Sequence, residues 1–326
     1  VDPESPGYEM ALKDVTGNTG NIPTQKAYYR LNRRIVQEQL QMIQKFGNMA
    51  LNPEMQTVFL NLFDESVDGL IKAYYNALTH QRMQIVSNAG KFVISNVNNP
   101  RGLKDITIDF HYPTGHANAL TGTARWWTNT DHTTEGSASD PIMYLKNRLK
   151  DIKRTYHVVA PMQIEISEDL FEDMLTHSKV KQAIGAYLYP LASTSELQMS
   201  AIAHLGDNDL RVAMERIIGC PIMVKDTKAY VLAPDTTTRD LVETAIDNFN
   251  PLTVAFVPQG QLGEIQGVQP ITLGYKAEDV AMFDGGRLVL SQRANPETHS
   301  IYVESEAAQL CVPTQVRNMF CDTVTA

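Results

Sequence analysis

The spacing of apolar side chains changes period several times along the chain, and each change marks an element. From about Thr24, the residues Leu31, Ile35, Leu40, Ile43 and Phe46 recur at roughly helical spacing, with Gly47 near the end, and predict a helix. Gln37, Gln39, Gln41 and Gln44 supply its polar faces. A second helix is predicted to open at Asn52-Pro53, a cap followed by a proline with no N–H to lose, and to bury Met55, Phe59, Leu62, Phe63, Leu70, Ile71, Tyr74 and Leu78. From Gln84 the period becomes two. Phe92-Val93-Ile94 and Val97 predict a strand, Asn98-Asn99-Pro100-Arg101-Gly102 a turn, and Asp105 to Phe110, which alternates strictly, the returning strand. His111 to Ala138 is dense in Gly, Thr, His, Asn and Ser around Trp126-Trp127, and a loop of that length is usually functional. The first 23 residues lack periodicity and read as an extended arm.

The stretch from 140 to 188 carries the clearest signals. Ser139 or Asp140 can cap a helix that has Pro141 in its first position. Ile142, Leu145, Leu149 and Ile152 form one narrow apolar face, with Lys146, Arg148, Lys150, Lys153 and Arg154 between them and Asp151 the only acid among these. Such a helix of ~17 residues would run ~25 Å across the surface of a core. Gln163 to Ser167 alternates as a half-buried strand does. Ser167 then caps a helix facing inward with Leu170, Phe171, Met174 and Leu175, and Ser178 starts another carrying Val180, Ile184 and Leu188.

Beyond residue 190 the pattern is mixed. Ser195-Glu196-Leu197-Gln198 fits a capping box whose helix ends near Gly206, and Asp209 caps a helix closed by Gly219. Pro221 to Val224 and Tyr230 to Leu232 flank Asp226-Thr227 as a hairpin. Thr238 to Phe249 is predicted helical, and Leu252 to Val257 is an apolar run of buried-strand type. Arg287 to Ser291 and Ser300 to Glu304 read as strands joined by a turn at Ala294-Asn295-Pro296.

A long basic helix opened by Asp140-Pro141-Ile142, then a strand and an acidic helix, resembles the major capsid proteins of tailed bacteriophages. Val257-Pro258-Gln259-Gly260-Gln261-Leu262-Gly263 and Asn295-Pro296 add to the likeness, which covers the chain from about residue 84. The resemblance implies an α+β capsid fold in four parts. These are an N-terminal arm with helices (1–83), an extended loop (84–138), a peripheral domain with its spine helix (139–190 and 285–326), and an axial domain around the symmetry axes (191–284). It implies a structural protein, not an enzyme, that self-assembles into hexamers and pentamers of an icosahedral shell around double-stranded DNA. Scaffold, portal and decoration proteins are the partners implied, the virion the location and the host cytoplasm the place of assembly. Some capsid proteins of this fold join a loop lysine to a neighbour's asparagine, for which Lys91 and Lys104 stand in the right region. An encapsulin-like compartment holding protein cargo is the alternative within the fold, and a cytoplasmic α/β enzyme with a dispersed site the alternative outside it.

Composition narrows these readings. Across 326 residues, 43% hydrophobic and 20% charged content fits a folded globular chain. A net charge of −9 argues against a protein that coats DNA but not against a container for it. No apolar run approaches a membrane span, and no signal peptide follows Val1. Loss of an initiator Met and proteolytic maturation both explain that first residue. Cys220, Cys311 and Cys321 are odd in number and far apart, which suggests a reducing compartment and no disulfide framework.

No catalytic, cofactor-binding or metal site emerges. Gly260, Gly263 and Gly267 follow a strand but lack the spacing, the Lys-Ser/Thr pair and the helix of a phosphate loop, and read as a turn. His111 and His116 are split by Tyr112-Pro113, and His157 suits a helix end. Asp207-Asn208-Asp209 lacks the Gly and distant Glu of a calcium loop and reads as a helix cap. A triad assembled from distant residues stays open, because such groups meet in space and not in order. The basic helix face is left as a solvated or subunit-facing side, able to meet Glu165, Glu168, Asp169, Glu172 and Asp173 of the same chain or a neighbour.

Overall fold

The computed structural model describes residues 24–31, 53–95, 106–190, 200, 202–225, 228–234, 241–268, 280–295 and 300–325. The predicted arm (1–23), the segment from Ile35 to Phe46, the hairpin turn around Pro100, and Ser195 to Gln198 lie outside them. Two compact units divide the chain, one from residues 1–79 and 265–312, the other from 80–264 and 313–326.

The first unit contains a sheet of five strands: β1 (Thr24–Leu31), β10 (Gly263–Val268, which enters from the second unit), β11 (Val280–Phe283), β12 (Leu288–Asn295) and β13 (Ser300–Pro313). Their order is β1-β13-β12-β11, each pair antiparallel, with β10 also on β13. Thr24 to Leu31 is therefore a strand, not the start of a helix. Thr24 stands opposite Ala308 and Leu31 opposite Ile301. The 14-residue β13 offers a long edge, and pairing with it satisfies the backbone of a segment whose Tyr28-Tyr29 suits a sheet. Helix α1 (Pro53–Ser87) begins at the predicted proline and runs 35 residues. In this unit its Leu70, Tyr74 and Leu78, four residues apart, are buried with Leu288, Leu290, Val303 and Ala307. The Tyr74 hydroxyl donates to Asp284 at 2.7 Å, and burial with that carboxylate beside it raises the pKa of the phenol.

The second unit is a mixed sheet covered on both faces. Its strands are β4 (Ala117–Ala119), β5 (Met162–Ser167), β6 (Ile222–Lys225), β9 (Thr253–Pro258) and β14 (Phe320–Thr323), in the order β4-β14-β9-β5-β6. Every residue of β9 is buried. Val254 and Phe256 point into one core, and Ala255 and Val257 into another with Met83, Val86, Phe249, Leu262 and Met319. Alternation on β5 does not mean that one face meets water: Glu165, on the polar side, is 0% exposed and pairs with Arg82 at 3.1 Å and Lys225 at 3.3 Å.

Four helices build the larger core: α2 (Pro141–Arg154), α3 (Glu168–Thr176), α4 (Ser178–Leu188) and α5 (Asp207–Ile218). Asp140 caps α2 by accepting from the Met143 N–H, and Ser167 caps α3 by accepting from the Leu170 N–H. Helix α2 is 14 residues long and buries Ile142, Leu145, Leu149 and Ile152 as predicted. Burying side chains such as Leu145 and Ile152 stabilises the unit by roughly 1.5–3 kcal/mol each. Helix α5 is capped at Gly206, so Asp207 and Asp209 lie within its first turn, where they suit the helix dipole. Gly219 closes it with φ 77°, as expected.

Two further predictions need correction. Within the segment predicted to be helical, Leu241–Asp247 instead forms β8, antiparallel to β7 (Lys228–Pro234) from Lys228 opposite Asp247 to Pro234 opposite Leu241. The hairpin expected between 221–224 and 230–232 is not formed either, since β6 pairs in parallel with β5. The apolar Ile222 belongs to the buried sheet, and β7 takes its partner from the segment that follows it.

Candidate functional site

Beyond the end of helix α1, Ala89 and Gly90 both take positive φ (53° and 82°), and the chain turns into β2 (Lys91–Ile94). β2 pairs antiparallel with β3 (Ile106–Asp109), from Lys91 opposite Asp109 to Ile94 opposite Ile106. The Phe110 N–H donates to Gly90 O at 3.0 Å and closes the base. Phe92 and Ile94 point inward and are buried, while Lys91 and Val93 point out. This two-stranded hairpin sits where the extended loop was expected. Lys91 lies 3.7 Å from Asp109, and Lys104 falls outside the described residues.

Residues 111–138, expected as part of the extended loop (84–138), are packed into the second unit. β4 runs parallel to β14, the Trp126 N–H donates to Val324 O at 2.8 Å, and Trp126 and Trp127 are 0% and 3% exposed. The polar composition hid this, because two adjacent tryptophans carry the burial. Gly136 holds the loop shut. A Cβ there would lie 2.2 Å from Arg125 O and 2.4 Å from Thr123 O. Gly136→Ala is therefore expected to cost about 1–3 kcal/mol in urea unfolding, as overpacking does.

Arg148 departs most from the sequence reading. It belongs to no solvated face: its side chain is 6% exposed and meets Asp322, at 0%. Arg148 Nε donates to Asp322 Oδ2 at 2.8 Å and Nη2 to Oδ1 at 3.0 Å. The Tyr144 hydroxyl and the Asn118 N–H complete the carboxylate's set, and Nη2 also donates to Gly115 O. Burial raises the Asp322 carboxyl, against the pull of Arg148 and these other donors. Lys146, Lys150, Lys153 and Arg154 make no side-chain hydrogen bond or ion pair among the described residues.

A second polar cluster has the residue types of a triad. Ser139 Oγ lies 2.8 Å from His177 Nε2, and His177 Nδ1 lies 3.8 Å from Glu135 Oε2. The direction of the hydrogen bonds decides its role. His177 Nδ1 accepts from the Lys179 N–H, so in the neutral ring Nε2 carries the proton and donates to Ser139, whose hydroxyl donates to Gly136 O. A nucleophilic serine needs the opposite sense. Glu135 accepts from the N–H and hydroxyl of Ser178, at the start of α4. His132 and Asp173 pair nearby, and His132 stacks on Trp127. The cluster fastens the loop to α3 and α4.

Of the residues weighed earlier, His111 is exposed beside Asp109, whereas His116 is buried, stacked on Phe320 at 4.1 Å, with Nδ1 3.0 Å from Met319 O. His157 is exposed with φ 56°. Gly263 and Gly267 lie in β10, and Gly260 turns before it with φ 102°. Among the described residues no group of three His, Cys, Asp or Glu is placed to hold a metal. Cys220 and Cys321 are buried thiols, which burial raises to about 11 and about 12.

Burial lowers the pKa of His80, His116 and His177 below 6.5. Their folded-state pKa is the lower one, so below 6.5 the unfolded chain binds more protons, and stability is lost as pH falls from 6.5 through the folded-state value. The urea midpoint is expected to drop between about pH 7 and about pH 5, and less steeply in His116→Phe, which keeps the stack on Phe320. Burial raises the Glu135 carboxyl, but the bonds from Ser178, with His177 and Lys181 nearby, outweigh it and leave it below 4.5. Its contribution is therefore lost at lower pH still.

A half-buried helix beside a mixed sheet, preceded by a two-stranded hairpin, has the order of elements that the capsid resemblance implied. The chain belongs to the family described as phage major capsid protein E, whose sequence profile matches residues 1–317. It is a structural protein of the virion that assembles with copies of itself into the capsid shell. Among solved structures it is similar to a candidate capsid protein of a prophage of Escherichia coli CFT073, with TM-score 0.51 and 12% identity over 93% of this chain and 77% of that one. A phage-related protein of Bordetella bronchiseptica RB50 gives TM-score 0.48 and 11% identity, over 93% and 75%. The procapsid of satellite phage P4, which includes its size determination protein, gives 0.44 and 9%, over 100% and 82%. No curated protein matches the chain.

Proposed function

We infer that the subunit forms the hexamers and pentamers of an icosahedral shell enclosing double-stranded DNA, assembled in the host cytoplasm with scaffold, portal or decoration proteins as partners. Family membership over nearly the whole chain carries this reading. Residues 1–83 are the arm with its helices, 84–138 the extended loop, 139–190 and 285–326 the peripheral part, and 191–284 the axial part. Within 84–138 the hairpin β2–β3 is the segment that reaches a neighbour, since two strands alone are marginal in water and gain from a partner. The wall encloses DNA without sequence-specific binding, and its net charge of −9 suits a container that does not grip its contents. Catalysis has no part in this role, which the direction of the Ser139–His177 bond supports.

Purified particles test the cargo. Nuclease-protected double-stranded DNA is the expected content of particles made during infection. Particles that enclose one protein species and no DNA would favour the encapsulin-like compartment.

A further inference from the structure

Resting on the reading of self-assembly, we propose that the exposed basic stripe of α2 docks on the acidic outer face of α3 in a second copy of this chain. Helix α2 buries one side, and at 100° per residue Met143, Lys146, Lys150, Lys153 and Arg154 fall within an arc of about 100° on the other. Lys150, Lys153 and Arg154 are exposed, as is Met143 at 53%. Asp151, the lone acid, lies off the stripe. Helix α3 has no basic residue and turns Leu170, Phe171 and Met174 inward, which leaves its four acids on the outward side. Asp173 is held by His132, while Asp169 and Glu172 are exposed.

The two faces match in spacing as well as sign. Lys150 and Lys153 are three residues apart, and so are Asp169 and Glu172, a rise of about 4.5 Å in each helix. The stripe from Lys146 to Arg154 and the helix from Glu168 to Thr176 each extend about 12 Å. Donor and acceptor faces are different surfaces of one chain, so the contact can repeat head to tail from copy to copy, and such contacts form rings where the rotation closes. In a chain of net charge −9, like-charged copies repel, and one localised pair of opposite faces orients their encounter. Nucleic acid is the weaker fit, because the stripe holds no aromatic side chain on which a base could stack.

Charge reversal tests the contact in the full chain. Lys150→Glu with Lys153→Glu, and separately Asp169→Lys with Glu172→Lys, are each expected to cut the particle fraction in sedimentation by about tenfold or more, because a modest loss per contact repeats around every ring. All four positions are exposed, so both variants should stay folded as unassembled subunits, with the thermal midpoint lowered only slightly because Lys153 and Asp169 suit the helix ends they occupy. Combining the four substitutions restores opposite signs across the contact and should return particles. Single-sided variants that assemble like the wild type overturn the proposal. So does a folded four-site variant that stays unassembled, or a lysine variant that forms particles in normal yield but loses DNA. A wild-type chain that forms no particles removes the assembly reading itself, and the contact with it.

Discussion

Replacing Arg148 with alanine is expected to lower the stability of the subunit by about 3–5 kcal/mol, the usual cost of stranding one member of a buried ion pair. Asp322 would keep the Tyr144 hydroxyl and the Asn118 N–H but lose both guanidinium bonds at 0% exposure. Three elements would loosen together. Arg148 stands on α2 and Asp322 on β14, and the guanidinium also holds Gly115 ahead of β4 and lies 5.4 Å from the centre of the Phe320 ring. Asp322→Ala should cost a similar amount for the mirror reason. The double change Arg148→Met with Asp322→Leu should be milder than either single change, since neither residue leaves a charge behind. Urea unfolding of the three variants measures this. A Met/Leu double variant that loses as much as the two alanine losses combined would show that the single losses do not come from a stranded charge.

Excising residues 95–105 and joining Ile94 to Ile106 through Asn-Gly is expected to leave a folded subunit that does not close a shell. The two isoleucines stand opposite each other in the β2–β3 register, so a two-residue turn can link them, and Asn-Gly suits the twist of a hairpin. Phe92 and Ile94 keep their buried positions, and the core of the second unit is untouched. Only the reach of the loop is removed. Many modest overlaps add up in a shell, so loss of one class of contact is expected to reduce particles by more than about tenfold in sedimentation. Particles of normal size and yield from this variant would end the role assigned to the hairpin.

Where a local signal decides the structure, the sequence was readable. Asp140-Pro141, Ser167 and Gly219 act within one turn of themselves, and each does what its residue type predicts. The buried run ending at Val257 could be read because apolar residues on both faces have one meaning in a covered sheet. The misread segments depend on distant partners. Thr24 to Leu31 becomes a strand because β13, nearly the whole chain away, offers an edge, while Leu31 and Ile35 happen to sit four apart. Leu241 and Ala245, or Val242 and Ile246, are likewise four apart and suit a helix, yet β7 claims them for a ladder. Arg148 looked like one more member of a basic face. Only the return of the chain 174 residues later supplies the carboxylate that buries it. Ser139, His177 and Glu135 carried no signal in sequence, since the loop and α4 meet only after folding.

Cryo-electron microscopy of the purified full chain tests self-assembly most directly. Closed icosahedral shells with pentamers at the vertices and hexamers between them are the predicted result. A folded protein that stays monomeric, or stops at a small discrete oligomer under every condition that promotes assembly, would contradict it.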